Sequence, residues 1–146
     1  MRTAFVTGAS GFVGSNLCEE LLAQGWRVIA MHRASVDPGH LAALKVERVV
    51  GDVTDYRSLI AAMPAPVDAV FHVAADYRLW APNPSELYQA NVDGSRALVS
   101  AAHAAGVQRI VYTSSVAVLG IPKDGRPGDE RTPVTVADMI GHYKRS

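Results

Sequence analysis

Ser115 and Tyr143 are the two side chains best suited to chemistry at a carbonyl. Ser115 follows an apolar run, Arg109–Thr113, where a hydroxyl can donate to a carbonyl oxygen. A tyrosine becomes a usable acid/base only when its pKa falls from about 10. A nearby ammonium does this by favouring the phenolate. On a helix that ammonium belongs at i+3 or i+4. Tyr143 is followed by Lys144, Arg145 and Ser146. Lys144 stands about 100° round the helix from Tyr143 and is expected to point elsewhere.

A second kind of chemistry is written near the start of the chain. Gly8, Gly11 and Gly14 are spaced G-x-x-G-x-x-G between the apolar run Thr3–Val6 and a helical pattern over Ser15–Leu22. Strand, glycine turn and helix together make a phosphate-binding hypothesis. Gly8 can take a tight turn, Gly11 lets backbone approach a ligand, and Gly14 lets the helix lie close on the strand. The helix N-terminus would then face a pyrophosphate. The bland alternative is an ordinary glycine-rich turn.

Arg33 ends the second strand run, 19 positions after Gly14. An acid near this place bonds the ribose 2′-hydroxyl of NAD, whereas an Arg accommodates the 2′-phosphate of NADP. Met31-His32-Arg33-Ala34-Ser35 holds no acid, so the reading leans to NADP, with NAD possible. A solvated Arg beside a loop is the competitor. Asp52, after the third strand run, can accept from an adenine amino group, or can simply be a turn residue before a helix. The five histidines pair neither with one another nor with Cys18 at ligand spacing, so surface or satisfied core histidines are expected and no metal site is read.

These residues need a scaffold that brings them to one place. The 146 residues suffice for one domain with a real core. Strand runs are read at Thr3–Val6, Trp26–Met31, Val46–Val50, Asp68–Val73 and Arg109–Thr113. Helices are read over Ser15–Leu22, over Arg57–Met63 capped by Thr54 or Asp55, over Ser85–Ala105, and from about Val134 onward. Strands and helices alternate, and the strands are continuously apolar. The expected fold is therefore α/β, a doubly wound parallel sheet with helices on both faces. Ligands in such sheets bind outside the carboxyl ends of the strands. The glycine turn, Arg33, Asp52, the loop Ala74–Trp80, Ser114 and Ser115 all fall there.

Lys+Arg and Asp+Glu both count 14, giving zero formal net charge. Neither nucleic acid nor an anionic membrane is expected as a partner. No apolar run approaches membrane-spanning length, and the N-terminal apolar run is too short for a signal peptide. A cytoplasmic protein is expected. The lone Cys18 rules out an internal disulfide and reads as buried filler.

With these residues in place, the chain resembles the extended short-chain dehydrogenase/reductase family of NAD-dependent epimerases and dehydratases. The resemblance rests on Thr7-Gly8-x-x-Gly11-x-x-Gly14, Gly51-Asp52, Val73-Ala74-Ala75, Asn91-Val92-x-Gly94, Tyr112-Thr113-Ser114-Ser115 and Tyr143 as the first residue of Tyr-x-x-x-Lys. The stretches Ala75–Pro82 and Met139–Ser146 resemble the branch of hopanoid-associated sugar epimerases, similar to dihydroflavonol reductases. The resemblance implies a Rossmann-type fold holding NAD(P) through Gly8, Gly11, Phe12, Val13, Gly14, Asp52, Val53, Ala74, Ala75 and Asn91. It implies Ser115 as the carbonyl-orienting hydroxyl, Tyr143 as the acid/base, and hydride transfer to or from a sugar or another carbonyl or alcohol compound. The aromatic loop Tyr77–Trp80 would lie near the nicotinamide and the substrate. The family's Lys falls at position 147 and its C-terminal substrate part follows, so residues 1–146 are expected to be the N-terminal portion of a longer, homodimeric enzyme. A dinucleotide-binding chain without turnover is the alternative.

Overall fold

Thr3–Thr7 form β1, whose five residues are all buried. In a computed structural model, which describes residues 1–64 and 66–146, β1 is the centre of the sheet. The other strands are β2 (Arg27–His32), β3 (Glu47–Val50), β4 (Ala69–His72) and β5 (Arg109–Tyr112). Their order is β3-β2-β1-β4-β5 and every pairing is parallel. This is the Rossmann-type sheet expected from the continuous apolar runs, since such strands must be covered on both faces.

Alternate residues of β1 face opposite sides of the sheet. Ala4 and Val6 join Val28, Ala30 and the α1 (Phe12–Ala23) residues Cys18 and Leu21 in one core. Phe5 joins Ile29, Leu59, Val70, Leu98 and Ala101 in the other, under α2 (Tyr56–Ala62) and α4 (Gly94–Ala104). Burying a side chain such as Leu59 or Leu98 stabilises by about 1.5–3 kcal/mol. Cys18 is the apolar filler its position implied. Burial pushes its thiol up to about 11, so it stays protonated at neutral pH.

Three local details differ from the sequence reading or complete it. Asp55, not Thr54, caps α2, its carboxylate accepting from the Arg57 N–H at 2.9 Å. The stretch read as one helix over 85–105 is α3 (Ser85–Tyr88), a π-helical turn (Gln89–Asp93) and α4 in direct succession. The last helix does not begin near Val134. Asp138 Oδ2 accepts from both Thr135 N–H and Thr135 Oγ1, at 2.8 and 2.7 Å, and closes one 3-10 turn over Val136–Asp138. Met139 and Ile140 are then extended, and α5 covers only Gly141–Arg145.

Candidate functional site

The carboxyl edge of the sheet opens into a cleft of about 970 Å³. One wall is the turn between β1 and α1. Gly8 has φ of +65°, and a Cβ there would lie 2.7 Å from the Ala74 nitrogen. A Cβ on Gly14 would lie 2.1 Å from the Gly8 carbonyl oxygen. Gly14 thus lets α1 close on the turn itself rather than on the strand. Gly11 N–H donates to Gly8 O at 3.0 Å, and Ala9 N–H donates to Met31 O at 3.3 Å, fixing the turn against β2.

Gly11 is the N-cap of α1, and no side chain caps that end. The first turn carries no acidic residue. The leading N–H groups of a helix have no partner inside it, and at this end no side chain supplies one. Their dipole end favours an anion. The cleft floor therefore offers what a pyrophosphate requires: free amides, a positive dipole end and backbone that no Cβ obstructs.

Gly8, Gly11, Phe12, Val13, Gly14, Arg33, Asp52, Val53, Ala74 and Ala75 all border this cleft. Phe12 projects from the turn, 87% exposed. Asp52 Oδ1 accepts from the Thr54 N–H and hydroxyl at 2.9 and 2.8 Å, so the residue shapes its turn while facing the cleft. Val53 packs where Gly94 has no side chain; a Cβ there would meet Val53 Cγ2 at 2.9 Å.

Asn91, Ser115 and Tyr143 border a second cleft, of about 290 Å³, which shares Ala75 with the first. Ser115, Tyr143, Tyr112, Thr113 and Ser114 line it. Ser115 Oγ also accepts from the Ala117 N–H at 3.1 Å, which holds the hydroxyl at the mouth of β5. Lys144, expected to turn away from Tyr143, borders the same cleft. Side chains 100° apart on a five-residue helix can both edge an open cleft.

The loop between the clefts is clamped by Asn91. Its Oδ1 accepts from Asp76 N–H at 2.7 Å, and its Nδ2 donates to Asp76 O at 2.9 Å. The Asp76 carboxylate grips Arg78, which also reaches Glu86. The Arg78 guanidinium holds the Asp76 carboxyl below its ordinary range, with a smaller pull from Arg33. Arg78 belongs to the loop Tyr77–Trp80 expected near the nicotinamide and the substrate, whereas Asp76 is not among the expected site residues. Their signal was present in the polar residues of the loop after β4.

The sequence offers Thr7 only as the start of the glycine motif and His72 only as one of the histidines expected at the surface or satisfied in the core; Ser95, and the contact among the three, are not read from it. Thr7 and His72 are register partners at the ends of β1 and β4. Thr7 Oγ1 lies 2.7 Å from His72 Nδ1, and His72 Nε2 lies 3.0 Å from Ser95 Oγ. A polar residue ending an otherwise apolar strand was the available clue. Burial lowers the His72 pKa to about 4, so the ring is neutral at neutral pH.

A parallel sheet in this order, with a glycine turn at its central strand and a cleft across the carboxyl edge, defines a Rossmann-type nucleotide-binding class. Residues 4–146 match the model of the NAD dependent epimerase/dehydratase family, and the chain belongs to that family. It is 46% identical over 142 residues to the putative dihydroflavonol 4-reductase of Synechocystis sp., covering 97% of this chain and 41% of that protein. The crystal structure of gox2253 superposes with a TM-score of 0.91 at 46% identity, over 99% of this chain and 44% of that one. A UDP-glucose-4-epimerase from Stenotrophomonas maltophila, with bound NAD and formylated UDP-arabinopyranose, superposes with a TM-score of 0.83 at 30% identity, over 99% of this chain and 45% of that one. The chain thus spans less than half the length of these relatives. No helix among the described residues is long and apolar enough to cross a membrane.

Proposed function

We propose that residues 1–146 are the dinucleotide-binding part of an NAD(P)-dependent sugar epimerase or carbonyl reductase of the extended short-chain dehydrogenase type, with substrate contacts supplied by a further C-terminal part. The observation that carries this reading is the uncapped N-terminus of α1, held open by Gly8 and Gly14 at the floor of a cleft that Arg33 and Asp52 flank. Gly11, Phe12, Val13 and Gly14 would hold the pyrophosphate. Asp52 and Val53 would lie toward the adenine, and Ala74, Ala75 and Asn91 toward the nicotinamide end. Arg33, exposed at the rim, would meet a 2′-phosphate and favour NADP over NAD.

A dinucleotide held there would give a hydride once in a reductase, or accept and return one in an epimerase. Ser115 donates to the carbonyl oxygen and fixes its position. Tyr143 holds or takes the proton at its phenol oxygen. General acid/base help of this kind is worth about 10²–10⁴ in rate. Support comes from Ser115 and Tyr143 bordering one cleft that meets the dinucleotide cleft at Ala75. In the whole enzyme, α4 and the final helix would pair across a two-fold axis in a homodimer. Fluorescence titration with NADPH and NADH tests the binding part. Turnover of the full-length protein, lost in Tyr143→Phe, tests the chemistry; an unchanged rate would sink the assignment of Tyr143.

A further inference from the structure

We propose that His72 is a positioning residue that, through Ser95, sets the placement of Asn91 and so couples the glycine turn to the loop between the two clefts. This rests on the reading of those clefts as a dinucleotide site, and goes beyond it by assigning His72, Ser95 and Thr7.

The direction of each hydrogen bond follows from counting protons. Thr7 Oγ1 accepts from the Val73 and Ala74 N–H groups, at 3.3 and 3.2 Å. A hydroxyl has two lone pairs and one proton. With both lone pairs taken, the proton points to His72 Nδ1. That nitrogen must then be bare, and the ring proton sits on Nε2, directed at Ser95 Oγ. Ser95 in turn donates to the Asn91 carbonyl oxygen at 2.5 Å. The donors run one way, from Thr7 to the backbone of Asn91.

Both ends of this chain are parts of the site. Thr7 precedes Gly8, and one of the two amides it accepts from belongs to Ala74, the residue that crowds Gly8. Asn91 lies within the π-helical turn and clamps Asp76 through its side chain. A widened turn of this kind is often found at functional sites. The Ser95 hydroxyl holds the Asn91 carbonyl from one side while the carboxamide works on the other. His72 is 2% exposed and lies against the Tyr112 ring, with 5.3 Å between ring centroids. The imidazole is thus confined between Thr7 of β1, Tyr112 of β5 and Ser95 of α4.

A merely structural histidine would affect stability alone. A positioning histidine affects Asn91 and ligand affinity as well. The test is 15N NMR of the imidazole nitrogens and of the Asn91 side-chain amide, with NADPH titration, in the unsubstituted chain, Ser95→Ala and Ser95→Thr. Ser95→Ala removes one hydroxyl from a half-buried site. The expected results are an unprotonated Nδ1, a protonated Nε2, and Asn91 amide signals displaced in Ser95→Ala. NADPH affinity falls about three- to tenfold in that variant and recovers in Ser95→Thr. A proton on Nδ1, or unmoved Asn91 signals in Ser95→Ala, overturns the proposal. Should the unsubstituted chain take up no NADPH, the dinucleotide reading fails, while the imidazole and Asn91 signals still decide the relay.

Discussion

Gly14 leaves no room for a methyl group, because the Gly8 carbonyl oxygen occupies that space. Gly14→Ala must push α1 away from the turn or distort the turn. It should lower stability by about 1–3 kcal/mol in chemical denaturation and weaken NADPH binding further. Arg33 tests selectivity with less disturbance, since its side chain lies at the exposed rim of the cleft. Arg33→Ala should cost about 1.5–3 kcal/mol of NADPH affinity, the worth of a charge-assisted hydrogen bond, and leave NADH affinity nearly unchanged. Equal losses for both would remove the 2′-phosphate role. The glycine turn was legible in sequence because its demands are local. The Thr7–His72 contact spans 65 residues, and no local pattern announces it.

At the scale of elements, the five strands and their parallel direction followed from apolar runs separated by helical patterns, whereas the order β3-β2-β1-β4-β5 is read from the structure. Boundaries shifted where side chains hydrogen-bond their own backbone. Asp55 and Thr54 were equally good caps by composition, and only Asp55 reaches the Arg57 amide. Asp55→Ala should therefore destabilise the chain by about 1 kcal/mol, and Thr54→Ala by less, in matched thermal melts. The π-helical turn over Gln89–Asp93 was hidden because no local sequence pattern separates it from an ordinary helical turn. At the end of the chain the helical stretch expected from about Val134 is interrupted: Asp138 closes one turn, and the extended Met139 and Ile140 break the run.

For the molecule as a whole, acid is the informative stress. The ordinary imidazole pKa is 6.5, and burial holds His72 at about 4 in the fold. As pH falls from 6.5, the unfolded chain takes up this proton first, so stability is lost between pH 6.5 and 4. The loss is about 3 kcal/mol by pH 4. The carboxyls of Asp76, Asp129 and Asp138 are held below their ordinary 3.8 and act at lower pH. Their stability is present above that value and disappears as pH drops through the folded pKa. Denaturation midpoints measured from pH 7 to 4 should fall through the imidazole window, and a flat profile there would show that His72 protonates without strain.

The central test is whether the uncapped α1 terminus and the cleft above it hold a dinucleotide. Fluorescence titration of the 146-residue chain with NADPH and NADH measures this directly. Saturable binding of both, with NADPH the tighter, is the expected result. Absence of saturable binding by either nucleotide, in a chain shown to be folded by circular dichroism, would contradict it.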